Sequence, residues 1–227
     1  MSLIIVKRMI RRLARIVYNP RALMEEERVA PDLLSPMIAF IIFLLFSMFK
    51  SYASASKIIE INGIFGNTFQ YYSSEFIIYL IEGSGLILFS TMLLVLVSVK
   101  HEYYKIFVLF SFYLLLLLGL GRLISGIIIL FLPRIQYNYE VGIPLSIQFQ
   151  EALIKWAQSN SVYYILDVFI ADVVPITWCI VLQSYAASEI LSANRLAATF
   201  MLISAWIGVR IIIVRALMSI LYGVPFI

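Results

Sequence analysis

Five unbroken apolar stretches dominate this chain, each close to the length of helix that crosses a lipid bilayer. They run from Leu33 to Phe49, Phe76 to Val99, Ile106 to Leu132, Ser161 to Leu182 and Leu196 to Leu221. The first is the shortest, and the third is long enough to cross with a tilt. None alternates polar with apolar residues, as a lipid-exposed barrel strand does. A soluble globule fits no better. Of 227 residues, 63% are hydrophobic and 13% charged, against ~45–50% and ~25% in a soluble domain. The expected fold class is therefore all-α: a polytopic transmembrane helix bundle of five spans, preceded by an amphipathic interfacial helix. Residues 1–32 form a cytoplasmic basic amphipathic segment, and residues 33–227 the five-helix transmembrane domain.

In the first segment Lys7, Arg8, Arg11, Arg12 and Arg15 recur at helical spacings, and Val6, Met9, Ile10, Leu13, Ile16 and Val17 take the other face. Such a helix lies in the membrane surface with its cations on anionic headgroups. A secretory signal keeps its charges ahead of an unbroken apolar core; here they are interleaved. A basic helix packed on a partner protein is the alternative. Asn19 and Pro20 read as an N-cap and first helical position. Glu25, Glu26 and Glu27 follow where the helix dipole favours acids, and Pro31 ends the helix.

Charge in the connections sets the expected orientation. Lys7, Arg8, Arg11, Arg12, Arg15, Arg21, Arg28, Lys100, Lys105 and Arg195 fall on one side, and Lys50, Lys57, Arg134 and Lys155 on the other. The positive-inside rule places the N-terminus in the cytoplasm and the C-terminus outside. The two outer connections are long, and the second carries a surface helix from about Pro144, with Leu145, Phe149, Leu153 and Trp156 near one face.

Catalytic motifs are lacking: there is no phosphate loop, zinc-protease helix or dinucleotide-binding glycine pattern. The single histidine, His101, reads as a solvated turn residue, and the single cysteine, Cys179, as a small core residue. One cysteine forms no disulfide framework or thiolate metal cluster within the chain. The run Glu82-Gly83-Ser84-Gly85 lacks the pattern of a nucleophile elbow and reads as a closely packed helix section. No metal, cofactor, enzymatic activity or nucleic-acid partner is expected.

The informative residues are charges inside the spans: Glu82, Arg122, Asp167, Asp172, Arg210 and Arg215. Each costs at least ~2.5 kcal/mol at a helix centre unless paired or hydrated. Glu82 and Arg122 fall level with each other. Asp167 and Asp172 are expected to pair with Arg210 and Arg215 between the antiparallel fourth and fifth spans; residues five apart cannot share one narrow face, so one pair is expected to meet directly while the other reaches the third span or water. Paired, these charges fix which helices touch; hydrated, they line an ion path. Matched numbers of acids and arginines favour the structural role. Gly119, Gly121, Ser125 and Gly126, with Ala186, Ala187 and Ser188, permit close helix approach.

The entry to the first span, Asp32-Leu33-Leu34-Ser35-Pro36, resembles that of the Yip1 family of five-span membrane proteins through Asp32, Leu33 and Pro36. Leu34 and Ser35 depart from the family's Asp-Leu-aromatic-Gly-Pro. The stretch from Trp178 to Arg195 is also similar to bacterial and archaeal members. The resemblance implies a cytoplasmic N-terminus, an outward C-terminus and a role in membrane organisation or the binding of partner proteins. The functional expectation is thus a non-enzymatic membrane organiser or scaffold, with membrane lipid, a membrane or cytoplasmic protein, and a second copy of the chain as its candidate partners. The alternative is a small transporter or channel subunit using the charged cluster. Five spans fit that less well, since inverted repeats within one chain need an even total.

Overall fold

The computed structural model describes residues 3–60, 68–137 and 145–222. Five of its helical stretches are long and apolar enough to cross a membrane. The protein is an integral multi-pass membrane protein with an all-α bundle. Helix α1 spans Leu3–Tyr18 and α2 Pro20–Val29. The Asn19 side chain accepts from Ala22 N at 3.1 Å and Pro20 opens α2, the cap expected from their order.

The first two spans lie within α3 (Leu34–Ala55) and α4 (Thr68–Val95). The third is α5 (Tyr104–Leu130), entered through a 3-10 turn at His101–Tyr103. Then come α6 (Leu145–Ser159) and α7 (Ser161–Asp167). Helix α7 continues through a π-helical segment, Val168–Val173, into α8 (Val174–Leu191). The fifth span repeats that plan: α9 (Arg195–Ile207), a π segment at Gly208–Val214, and α10 (Arg215–Tyr222). Two three-residue strands, β1 (Ile58–Glu60) and β2 (Ile135–Tyr137), pair in parallel with Ile58 opposite Ile135. They tie the connections that leave α3 and α5.

Three helices run past the apolar patterns that mark them, each through polar residues that turn inward. Helix α3 continues from Phe49 to Ala55 with Ser51 buried. Helix α4 begins eight residues before Phe76, where Ser74 and Glu75 are buried. Helix α8 continues from Leu182 to Leu191 because Gln183 and Ser184 find partners inside. Gln183 donates to Ser111 Oγ at 3.3 Å and accepts from Trp206 Nε1 at 3.2 Å. Ser184 Oγ accepts from Thr199 Oγ1 at 2.9 Å. Buried polar groups that are satisfied interrupt hydropathy without interrupting a helix. The second span also closes four residues short of Val99, at Val95.

The bundle is built on the α3–α5 pair. A Cβ on Gly119 would lie 3.0 Å from Phe43 Cα, and one on Gly126 would lie 3.2 Å from Lys50 Cα. These two positions, seven residues apart, let the backbones approach as small residues do in membranes. Around them Phe43, Phe107, Phe110, Tyr113, Leu114 and Leu118 are fully or almost fully buried. Ile16 of α1 with Leu23 and Met24 of α2 belongs to the same core, so the N-terminal segment is docked on the bundle. Each such aliphatic side chain contributes roughly 1.5–3 kcal/mol when taken out of water. At the opposite end α6 packs Ala152 and Trp156 inward, and Trp156 Nε1 donates to Pro133 O at 2.9 Å. Pro144 and the side chains of Leu145 and Phe149 lie outside the described residues.

Candidate functional site

Arg122 of α5 stands at the centre of a polar network inside the bundle. Its Nη2 donates to both carboxylate oxygens of Glu82 on α4, at 2.8 and 2.7 Å. Its Nη1 donates at 2.8 Å to the hydroxyl of Ser47 on α3, which itself donates to Phe43 O. The guanidinium lies 5.0 Å from the Phe43 ring centroid and 4.7 Å from that of Tyr79. Two aromatic faces and a bidentate carboxylate answer a cation that is only 3% exposed, and Glu82 is 2% exposed.

The network then crosses to the other spans. Arg210 Nε, from the π segment of the fifth, is 3.0 Å from Glu82. Arg210 Nη1 is 2.9 Å from Asp172, in the π segment of the fourth. Asp172, Arg210, Glu82 and Arg122 therefore alternate in sign along one connected line. Lys50 Nζ of α3 is 3.0 Å from Asp167, which also accepts from the Ser125 hydroxyl of α5. Ser51 donates to Glu75 at 2.9 Å and lies 2.8 Å from Tyr79 Oη. Every one of the five spans contributes a residue to this polar interior.

Three of the expected relations are present: Glu82 with Arg122, Asp172 with Arg210, and the close approach at Gly119 and Gly126. Asp167 does not pair with an arginine of the fifth span; it reaches the third span through Ser125, the alternative expected for one of the two pairs, and also meets Lys50 of α3. Asp167 closes α7 ahead of the π segment that carries Asp172, so regular α-helical spacing does not hold between them, and Asp167 meets α3 and α5. Arg215 opens α10, little more than a turn beyond Arg210. Lys50, assigned by hydropathy to an outer connection, lies within α3 and enters the bundle. Ser47 and Ser51, one turn apart on an apolar helix, are the signal that marks this face. Hydropathy passes over them because a serine weighs little. Gly83 is a packing position, where a Cβ would meet the Phe40 ring at 2.6 Å. Cys179 is buried, with its thiol 3.4 Å from Leu114 O, and His101 is exposed and stacked on Tyr104.

A second charged system sits where α1 crosses α2. Arg12 is fully buried, which corrects its expected place on the membrane surface. Its Nη1 donates to Glu27 at 2.7 Å and lies 3.3 Å from Asp32, while Nη2 donates to Ala30 O at 2.9 Å. Glu27 also accepts from Tyr113 Oη of α5 at 2.9 Å and from Asp32 N at 2.9 Å. One carboxylate thereby joins α1, α5 and the entry to α3. Arg12 faces inward because it lies about 140° round the helix from Lys7 and about 160° from Ala14, beside the Ile16 and Met9 face.

Arg8, Arg11 and Arg15 converge on Glu26, to which Arg12 Nε also donates at 3.1 Å. Arg8 is 3.8 Å and Arg11 3.2 Å from Glu26, and Arg15 bonds its other oxygen. Lys7 is exposed. Asp32 caps α3, accepting from Leu34 N at 3.0 Å and from the Ser35 hydroxyl. Beside it Leu33 is exposed and Pro36 buried in the first turn. Burial works to raise all three carboxyls. It prevails at Glu27, held above the usual range despite Arg12 and the Asp32 N–H. At Glu26 the bonds and charge of Arg12 and Arg11 outweigh it, and at Asp32 the Ser35 and Leu34 bonds and Arg12 do. Both are held below the usual range.

No family model, curated protein or solved structure matches this chain.

Proposed function

We propose that the chain is a non-enzymatic membrane protein that organises the bilayer or scaffolds partner proteins, oriented with its N-terminus in the cytoplasm and its C-terminus outside. The observation that carries this reading is the alternation of Asp172, Arg210, Glu82 and Arg122, joined to all five spans. Charges answered in this way hold a bundle in one arrangement, and a rigid, neutralised interior suits a protein that works through its outer surfaces. Kinship with the Yip1 family remains part of the proposal on the Asp32, Leu33 and Pro36 entry. It is supported by the capping role of Asp32 at the first span.

Purified protein reconstituted into proteoliposomes tests the proposal. The expected result is a change in vesicle size or tubulation that scales with protein density, with ion and solute flux equal to that of empty vesicles. A saturable flux abolished by Asp172→Asn replaces this reading with transport. One observation favours that second reading. Asp172 and Arg210 both lie in π-helical segments, which recur at functional sites, and both side chains are about a quarter exposed.

A further inference from the structure

We infer that Arg8, Arg11 and Arg15 form a binding site for a phosphate group at the α1–α2 crossing. Their stoichiometry is the first reason. Arg12 gives Glu26 its Nε, at 3.1 Å, but spends its other donors on Glu27 and Ala30 O and lies beside Asp32, and Arg8, Arg11 and Arg15 gather on the same Glu26. Four guanidiniums thus meet three carboxylates, Glu26, Glu27 and Asp32, and one positive charge is in surplus. Each guanidinium carries five N–H donors. Arg11 spends one on Glu26 at 3.2 Å, and Arg8 stands 3.8 Å away, past hydrogen-bonding reach. The Arg8 and Arg11 side chains are 49% and 54% exposed, so these donors are open to a ligand.

Preorganisation is the second reason. Like charges this close repel, and a free helix would splay them apart. Here the α1–α2 packing through Ile16, Leu23 and Met24 fixes the helix that carries them. A tetrahedral phosphate offers several acceptor oxygens to a fork of guanidiniums and relieves the surplus charge, a match that lysine does not make. Ile10, Val17 and Tyr18 stay uncovered on the same helix, as they do on a helix at the lipid–water boundary. A phospholipid headgroup is therefore the expected source, and a soluble phosphate the same chemistry from the other side. The site holds whether the bundle scaffolds or transports.

The test uses the full chain in nanodiscs. One arm measures retention of phosphatidic acid diluted into phosphatidylcholine. The other measures pyrophosphate binding in pure phosphatidylcholine. Each basic residue at an anionic surface is worth about five-fold in affinity, so Arg8→Gln/Arg11→Gln should weaken phosphatidic acid binding roughly 25-fold. Lys100→Gln/Lys105→Gln removes equal charge from exposed positions beside the start of α5 and should weaken it less than five-fold. Equal losses overturn the site in favour of a diffuse field, and no loss in the first variant overturns it outright. Arg8→Lys/Arg11→Lys keeps the charge and loses the fork. It should still bind several-fold more weakly, and unchanged binding overturns the guanidinium geometry. Pyrophosphate binding that the Gln pair abolishes supports the site with a soluble source, and phosphatidic acid alone supports it with a lipid source. Failure of both probes overturns it.

Discussion

At the α1–α2 crossing several arginines crowd one carboxylate, Glu26, at the edge of the protein. Between the spans Arg122 and Arg210 instead share Glu82, and Asp172 completes the alternation. The chemistry is the same and the surroundings are not. Water reaches Arg8 and Arg11, whose ion pairs contribute little and leave donors to spare. Arg122 is enclosed by Phe43, Tyr79 and Glu82, and a charge there without its counterion has nowhere to be hydrated. An arginine–carboxylate pair is thus a fastening in one place and a receptive surface in the other.

The sharpest way to break this contrast is to strand one charge in the interior. Arg122→Met leaves Glu82 with Arg210 alone and should cost about 3–5 kcal/mol of unfolding free energy in detergent. Adding Glu82→Leu should recover much of that, because both charges are then gone. If the double variant equals the sum of the singles, the two residues are not one unit. Arg12→Met removes a fully buried cation where α1 crosses α2 and leaves Glu27 with the Tyr113 hydroxyl and the Asp32 N–H but no countercharge. Local opening of α1 can rehydrate Glu27, so the expected cost is smaller, about 1–3 kcal/mol. A cost equal to that of Arg122→Met would show that burial alone, not depth within the spans, sets the stakes.

The five spans and the polar cap of α2 were legible because they rest on local signals: length, hydropathy and the Asn19-Pro20 order. Glu82 with Arg122 and Asp172 with Arg210 were legible from depth, since a buried charge needs a partner at its own level. Depth carries no rotation, and helical spacing showed only that one of the two pairs must turn elsewhere; it did not show that Asp167 is the one, or that Lys50 meets it. Rotation about a helix decides between two neighbours, and the π segments at Val168–Val173 and Gly208–Val214 change it without altering composition. Lys50, Ser47 and Ser51 were hidden for a related reason. Hydropathy averages over a helix, whereas their contribution depends on one face. Arg12 shows the same limit at the corner: five cations share an amphipathic helix, and one of them is turned to the interior by 40° from the buried Ile16.

Asp32 offers a milder test, because it works as a cap more than as a countercharge. Asp32→Ala loses the bonds from Leu34 N and the Ser35 hydroxyl and should cost about 1 kcal/mol, whereas Asp32→Asn should keep most of the cap. The pH dependence follows the same residues. Asp32 and Glu26 are held below their usual range, so what they contribute is present above about pH 4 and is lost as pH falls through their lowered folded values. Glu27 is raised and acts in the opposite sense, favouring the folded corner more when it is protonated. Protection of the 8–32 amides from hydrogen exchange, corrected for the pH dependence of intrinsic exchange, should therefore fall below about pH 4 in the native chain. In Glu26→Gln that acid response should shrink, and an unchanged response would assign it elsewhere.

The smallest expected effect marks the baseline for all the others. Arg21 and Glu25 form an ion pair one turn apart on α2, at 3.2 Å, with both side chains mostly exposed. Their spacing is that of a favourable helix pair, but the acid lies on the C-terminal side, the weaker order against the helix dipole. Arg21 also opens the helix beside its N-terminus, where a cation is disfavoured. These terms nearly cancel, so Arg21→Ala should change unfolding free energy by less than about 0.5 kcal/mol. Raising the salt from 0.05 to 0.5 M should leave even that difference smaller, because an exposed pair is screened. The same salt step should leave the cost of Arg122→Met unchanged, since screening ions do not enter that site. A loss above 1 kcal/mol for Arg21→Ala would mean that the corner is fastened at its exposed rim.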